Sequence, residues 1–173
     1  MPVRGKRRSP RACSAVQRSL RNNGLVNSGS HHRERGPLDA LPGEPLIVDA
    51  VILDRTCQPA AGAEAHIWHA DARGLYGPSQ GRECCYYDGT VRADSAGRFR
   101  LQTIRPAQYP VPNAPPAHIH LEIRYQGSTL GTEVVFGAAP SPSIAPLTGE
   151  VLSITLKRDG NGWRGEALFV LSP

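Results

Sequence analysis

Short apolar or alternating runs recur along the chain from residue 46 onward. They are LIVDAVILD (46–54), AEAHIWHA (63–70), GRFRLQTI (97–104), HIHLEIRY (118–125), TLGTEVVF (129–136), EVLSITLKR (150–158) and WRGEALFVL (163–171). Alternation with a period of two marks a strand with one face on a core, and these runs have strand length. They are parted by QPAAG, DSAG, YQGS and RDGNG, whose Gly, Pro, Asp and Asn supply turn conformations. No stretch shows the 3.6-residue period of a long amphipathic helix. Seven strands with turns at this spacing predict an all-β fold, a two-sheet β-sandwich. Two connections, residues 71–96 and 105–117, exceed what hairpins need, and long loops anchored by sheets are where small sandwiches carry function.

Residues 1–44 lack such periodicity and mix Arg, Ser, Asn, Gly and Pro, which predicts a disordered arm ahead of a single folded domain over 45–173. Charge sharpens this division. Residues 1–36 hold nine of the 20 Lys and Arg and only one of the 15 acids, Glu34. The remaining eleven basic and fourteen acidic residues leave the body mildly acidic. With no aromatic side chains interleaved in the arm, a folded nucleic-acid surface is not expected, only non-specific contact with polyanions. The arm has no apolar stretch of signal-peptide length and no later segment approaches about 20 apolar residues, so no membrane association and a cytoplasmic location are expected. Four cysteines are present, Cys13, Cys57 and the adjacent Cys84 and Cys85. Adjacent cysteines pair only with strain and no CxxC spacing suggests zinc, so free thiols are expected over a bridge from Cys57 to one of the pair.

The candidate chemistry lies in YPVPNAPPAHIH, residues 109–120. His118 and His120, two apart on a predicted strand, project from one face and offer two nitrogen donors. The bland alternative has one histidine facing the core, bonded to backbone, and the other incidental. No Asp or Glu lies within 105–121, so a two-histidine, one-carboxylate iron site finds no local carboxylate. Tyr109 follows TIRPAQ, and Tyr76 closes WHADARGLY just after another predicted strand. Two phenolates and two imidazoles select ferric iron, because hard anionic oxygens neutralise much of its charge.

AEAHIWHADARGLYG, DGTVRADSAGRFRLQTIRPAQYP and PPAHIHLEI resemble, in order, the successive motifs of the intradiol ring-cleavage dioxygenases, the group of catechol 1,2- and protocatechuate 3,4-dioxygenases. The resemblance spans roughly residues 45–140. It implies a β-sandwich enzyme with non-haem Fe(III) that cleaves a catechol-type aromatic diol between its two hydroxyls with O2, giving a muconate-type diacid. It places the metal ligands at Tyr76, Tyr109, His118 and His120, with Tyr109 the ligand that leaves when the diol binds and helps remove its proton. It also implies a homo-oligomer. The alternative is a non-catalytic iron-binding or partner subunit on the same sandwich.

Two positions depart from the family pattern. Pro115 stands where an arginine is usual, three residues before the first histidine, and Glu133 where glutamine is usual. Glu133 either faces the site or points to solvent. Arg73, Arg82, Arg92 and Arg124 are candidate replacements for the arginine, each expected on the surface. Trp68 is expected to pack on the sandwich core, and His66 and His69, on opposite strand faces, to be exposed. Tyr86 and Tyr87 rank below Tyr76 as phenolate donors because they lack the W-x-A-D-x-x-G-x-Y frame.

Overall fold

The computed structural model describes residues 43–77, 87–137 and 151–171. The basic arm up to residue 42 and Arg82, Cys84, Cys85 and Tyr86 lie outside the described residues. Among the described residues nine strands form: β1 (Pro45–Leu53), β2 (Glu64–His69), β3 (Tyr87–Arg92), β4 (Arg98–Ile104), β5 (His118–Tyr125), β6 (Ser128–Phe136), β7 (Val151–Ile154), β8 (Lys157–Asp159) and β9 (Gly162–Val170). They pair as a four-stranded sheet in the order β4-β1-β9-β8 and a five-stranded sheet in the order β3-β2-β5-β6-β7. This is the predicted sandwich. Among the described residues no helix is long and apolar enough to cross a membrane.

One core fills the space between the sheets. Leu46, Val48, Ala50 and Ile52 of β1, Phe99 and Leu101 of β4, and Ala167 and Phe169 of β9 pack against Ala65 and Ile67 of β2 and Ile119, Leu121 and Ile123 of β5. Each β5 residue that enters this core is flanked by one that cannot, since alternate side chains leave opposite faces. The strand β1 is buried on both faces near its end, because Val51 and Leu53 pack against Cys57 on the side away from the main core.

In strand assignment and cysteine state the structure departs from the sequence reading in three places. β3 was not predicted: YDGTVR offers only Tyr87 and Val91 as buried apolar positions, and it forms the sheet edge, where Asp88 and Arg92 suit an exposed rim. The run 150–158 is not one strand. Its first part pairs parallel to β6 and its second antiparallel to β9, so the chain changes sheets at Thr155 and Leu156. Cys57 is disulfide-bonded, which overturns the free-thiol expectation there; its partner lies outside the described residues. Adjacency of Cys84 and Cys85 bears only on whether they pair with each other, not on a longer-range bond.

One five-residue turn is used three times. In each, an aspartate side-chain oxygen accepts the backbone N–H of residues two and four further on: Asp54 from Thr56 and Gln58, Asp71 from Arg73 and Leu75, Asp94 from Ala96 and Arg98. The fourth residue has positive φ in every case, 64° at Cys57, 80° at Gly74 and 70° at Gly97.

Ile119 is 1% exposed and lies between the two candidate histidines. Ile119→Ala is expected to lower unfolding free energy by about 2–5 kcal/mol through lost burial and the cavity left behind. A denaturant titration measures it.

Candidate metal centre

The core face of β5 is taken by Ile119, Leu121 and Ile123, so His118 and His120 project from the opposite face of the five-stranded sheet. Strand pairing extends this outer face into a row. Trp68 of β2 lies opposite Asp88 of β3 on one side and His120 on the other, and His120 lies opposite Glu133 of β6. The Trp68 indole stacks on the His120 ring with centroids 5.1 Å apart and planes 11° from parallel. Trp68 therefore does not pack on the core as expected: fully buried Ile67 takes the inward position and sends its neighbour outward. His66, also on the outer face, meets Asp88 at 3.1 Å and is partly exposed as expected. His69 is not exposed. It is fully buried, with Nδ1 bonded to the Ala70 carbonyl, Nε2 to the Thr103 hydroxyl, and its ring stacked on Tyr87.

Tyr76 is delivered by the Asp71 turn. The Asp71 carboxylate, 1% exposed, holds the Arg73 guanidinium at 2.7 Å as well as two backbone amides. Its carbonyl accepts from Gly74 and from Ala107, which ties this turn to the connection carrying Tyr109. Gly74 combines positive φ with close approach: a Cβ there would stand 2.3 Å from the Gln108 carbonyl oxygen. The two loops that carry the tyrosines thus pack backbone to backbone.

Four polar atoms converge where these loops meet β5. Tyr76 Oη lies 2.5 Å from Tyr109 Oη, Tyr109 Oη 2.9 Å from His118 Nε2, His118 Nε2 3.1 Å from His120 Nε2, and His120 Nε2 2.9 Å from Tyr76 Oη. His118 Nδ1 faces the Pro116 carbonyl at 2.8 Å. A carbonyl can only accept, so the proton sits on Nδ1 and leaves a lone pair on Nε2. His120 Nδ1 faces the Glu133 carboxylate at 3.3 Å, and a proton there leaves its Nε2 bare as well. Two phenol protons then serve four short contacts. If each goes to a histidine, the O–O and N–N edges hold lone pair against lone pair. A cation at the centre removes both conflicts, and this donor set suits a hard trivalent ion.

Burial shifts three of the four donors toward their neutral forms. Burial, reinforced by the Tyr109 hydrogen bond, pushes the Tyr76 phenol far above its usual range. Burial also raises Tyr109, although its bond to Tyr76 opposes the shift. Burial and then the neighbouring His118 lower His120 to about 4.

The structure brings together all four predicted donors and adds Glu133, which is 6% exposed and groups with His118 and His120 as potential metal-binding side chains. The carboxylate absent from 105–121 arrives from the neighbouring strand. Tyr87 is buried against His69, away from the cluster. Arg73, Arg92 and Arg124 form ion pairs with Asp71, Glu64 and Glu122.

Comparison with known proteins agrees with this architecture. A family model described as "Dioxygenase" matches residues 26–139. The protocatechuate 3,4-dioxygenase beta chain of Burkholderia cepacia is 31% identical over 117 residues, covering 61% of this chain and 50% of that protein. A chlorocatechol 1,2-dioxygenase of Pseudomonas putida is 31% identical over 100 residues, covering 49% of this chain and 38% of the other. The dioxygenase domain of a carbohydrate-binding fusion protein from Streptomyces sp. SirexAA-E superposes with a TM-score of 0.65 at 26% identity, covering 87% of this chain and 94% of that one. Sandwich and match together define a dioxygenase fold. The chain belongs to the intradiol ring-cleavage dioxygenase family. It spans half or less of the length of these two curated relatives.

Gly74→Ala forces a side chain into the left-handed region and against Gln108, at a cost of at least about 1–2 kcal/mol. The expected result is a lower melting temperature with faster amide exchange at position 74 and at Ala107, read by hydrogen–deuterium exchange.

Proposed function

We propose that Tyr76, Tyr109, His118 and His120 hold one ferric ion and that the protein cleaves a catechol-type aromatic diol between its hydroxyls, with O2 as co-substrate and a muconate-type diacid as product. The observation that carries this reading is the meeting of four donor atoms, from one strand and two loops, at 2.5–3.1 Å. Membership of the family supports it. Residues 45–173 form the catalytic domain, 1–44 a separate arm, and the assembly is a homo-oligomer.

A ferric ion held by Tyr76, Tyr109, His118 and His120 would supply the Lewis acidity that activates a bound diol toward O2. The chain supplies the rest. The two imidazoles, anchored through Nδ1, fix one side of the coordination geometry, and Tyr76 fixes another through its Asp71 turn. Tyr109 is the more releasable donor. It sits in an irregular connection, followed by exposed Pro110, Val111 and Pro112, whereas the Tyr76 turn is locked to a buried carboxylate. Released, its phenolate accepts a proton at Oη from the incoming diol, and burial has already raised its proton affinity.

The visible spectrum of the iron-loaded protein tests the reading. A broad phenolate-to-iron band that moves to longer wavelength on anaerobic addition of catechol is expected, with loss of colour in His118→Ala or His120→Ala. A colourless protein with iron supplied would overturn the site, and a coloured protein inert toward every diol would favour a non-catalytic iron-binding subunit.

Loading also has a proton signature. Both phenols are protonated through neutral pH without the cation, so uptake should release two protons per ion, and apparent affinity should fall about 100-fold per unit drop in pH. Proton release during titration with chelated Fe(III) measures this.

A further inference from the structure

We propose that Glu133 is a positioning residue for the cation: its carboxylate holds the Nδ1 proton of His120 and aims the Nε2 lone pair at the metal. This rests on the metal reading above and extends it to a residue outside the four donors.

Register places the carboxylate. A two-residue turn, Gln126 and Gly127 with φ of 47° and 80°, joins β5 to β6 and sets Tyr125 opposite Ser128. Counting back along the hairpin sets His120 opposite Glu133 on the outer face. A slip of one residue would expose Val134, which is 2% exposed and belongs to the core, so the pairing is held by burial as well as by the turn.

The environment makes the placement consequential. The Glu133 carboxylate lies 3.3 Å from His120 Nδ1 and is buried. Burying a carboxylate is costly unless it is paired and hydrogen-bonded. The two histidines are anchored differently. His118 donates to a neutral carbonyl, that of Pro116, while His120 faces a full negative charge. A carboxylate behind an imidazole raises its basicity as a ligand and fixes its tautomer. Trp68, stacked on the ring from β2, fixes the plane of the same imidazole that Glu133 holds from β6. The buried negative charge also favours the ferric over the ferrous state.

Two substitutions separate charge from shape. Glu133→Gln keeps an acceptor oxygen and the side-chain volume but removes the charge; Glu133→Leu removes both. Wild type and both variants are purified without metal, checked for folding by thermal melting, titrated with Fe(III) against a competing chelator, and poised with redox mediators. The expected result is iron affinity weakened about tenfold in Glu133→Gln and up to about 100-fold in Glu133→Leu, with a more positive reduction potential in each. Folded variants with wild-type affinity and potential would overturn the inference while leaving the four-donor site standing. A change in melting temperature alone would also overturn it. If Glu133→Leu does not fold, the near-isosteric Glu133→Gln decides. Wild-type protein that takes up no iron would overturn the underlying metal reading and this inference with it.

Discussion

The alternation of β5 is the constraint on which the rest of the site depends. Ile119, Leu121 and Ile123 must enter the core, and their burial forces His118 and His120 to the other face, two residues apart. The apolar surface that holds the sheets together therefore also aims the two nitrogens. Because the side-chain period is two, the histidines cannot turn inward without the isoleucines turning out. Fold stability and site geometry are two readings of one strand.

A second layer of order comes from the buried carboxylate of Asp71. The same five-residue turn that serves as a connector at Asp54 and Asp94 here carries functional cargo, since it ends next to Tyr76 and presents its carbonyl to Ala107. Gly74 lets the turn lie against the Tyr109 connection at a distance no Cβ would permit. Two loops distant in sequence are thus held to the precision of backbone hydrogen bonds, while Tyr109 itself stays on the looser one.

Much of this was legible in the sequence, for physical reasons that can be named. Strong alternation revealed the core strands and both histidines, and resemblance to the family motif through Trp68, Asp71, Gly74 and Tyr76 marked the phenol-bearing loop. β3 escaped because an edge strand needs little apolar content, and the change of sheet within 150–158 escaped because periodicity does not report a strand's partner. The inward expectation for Trp68 failed on parity alone: with Ile67 buried, the next residue had to face out. Glu133 was found as a sequence position but not as a neighbour of His120. The signal was present, since a two-residue turn at Gln126 and Gly127 fixes every pair in the hairpin. His69 could not be placed, because its burial depends on Thr103 and Tyr87 from other strands.

The central claim is that four side chains from one strand and two loops surround a single iron ion. Crystals of the iron-loaded protein, measured on both sides of the iron absorption edge, test it most directly. The account predicts one anomalous peak, enclosed by Tyr76 Oη, Tyr109 Oη, His118 Nε2 and His120 Nε2, with Glu133 behind His120 and outside the coordination sphere. An iron peak bound through Glu133, or an iron-replete crystal in which the four atoms remain closed on one another, would contradict it.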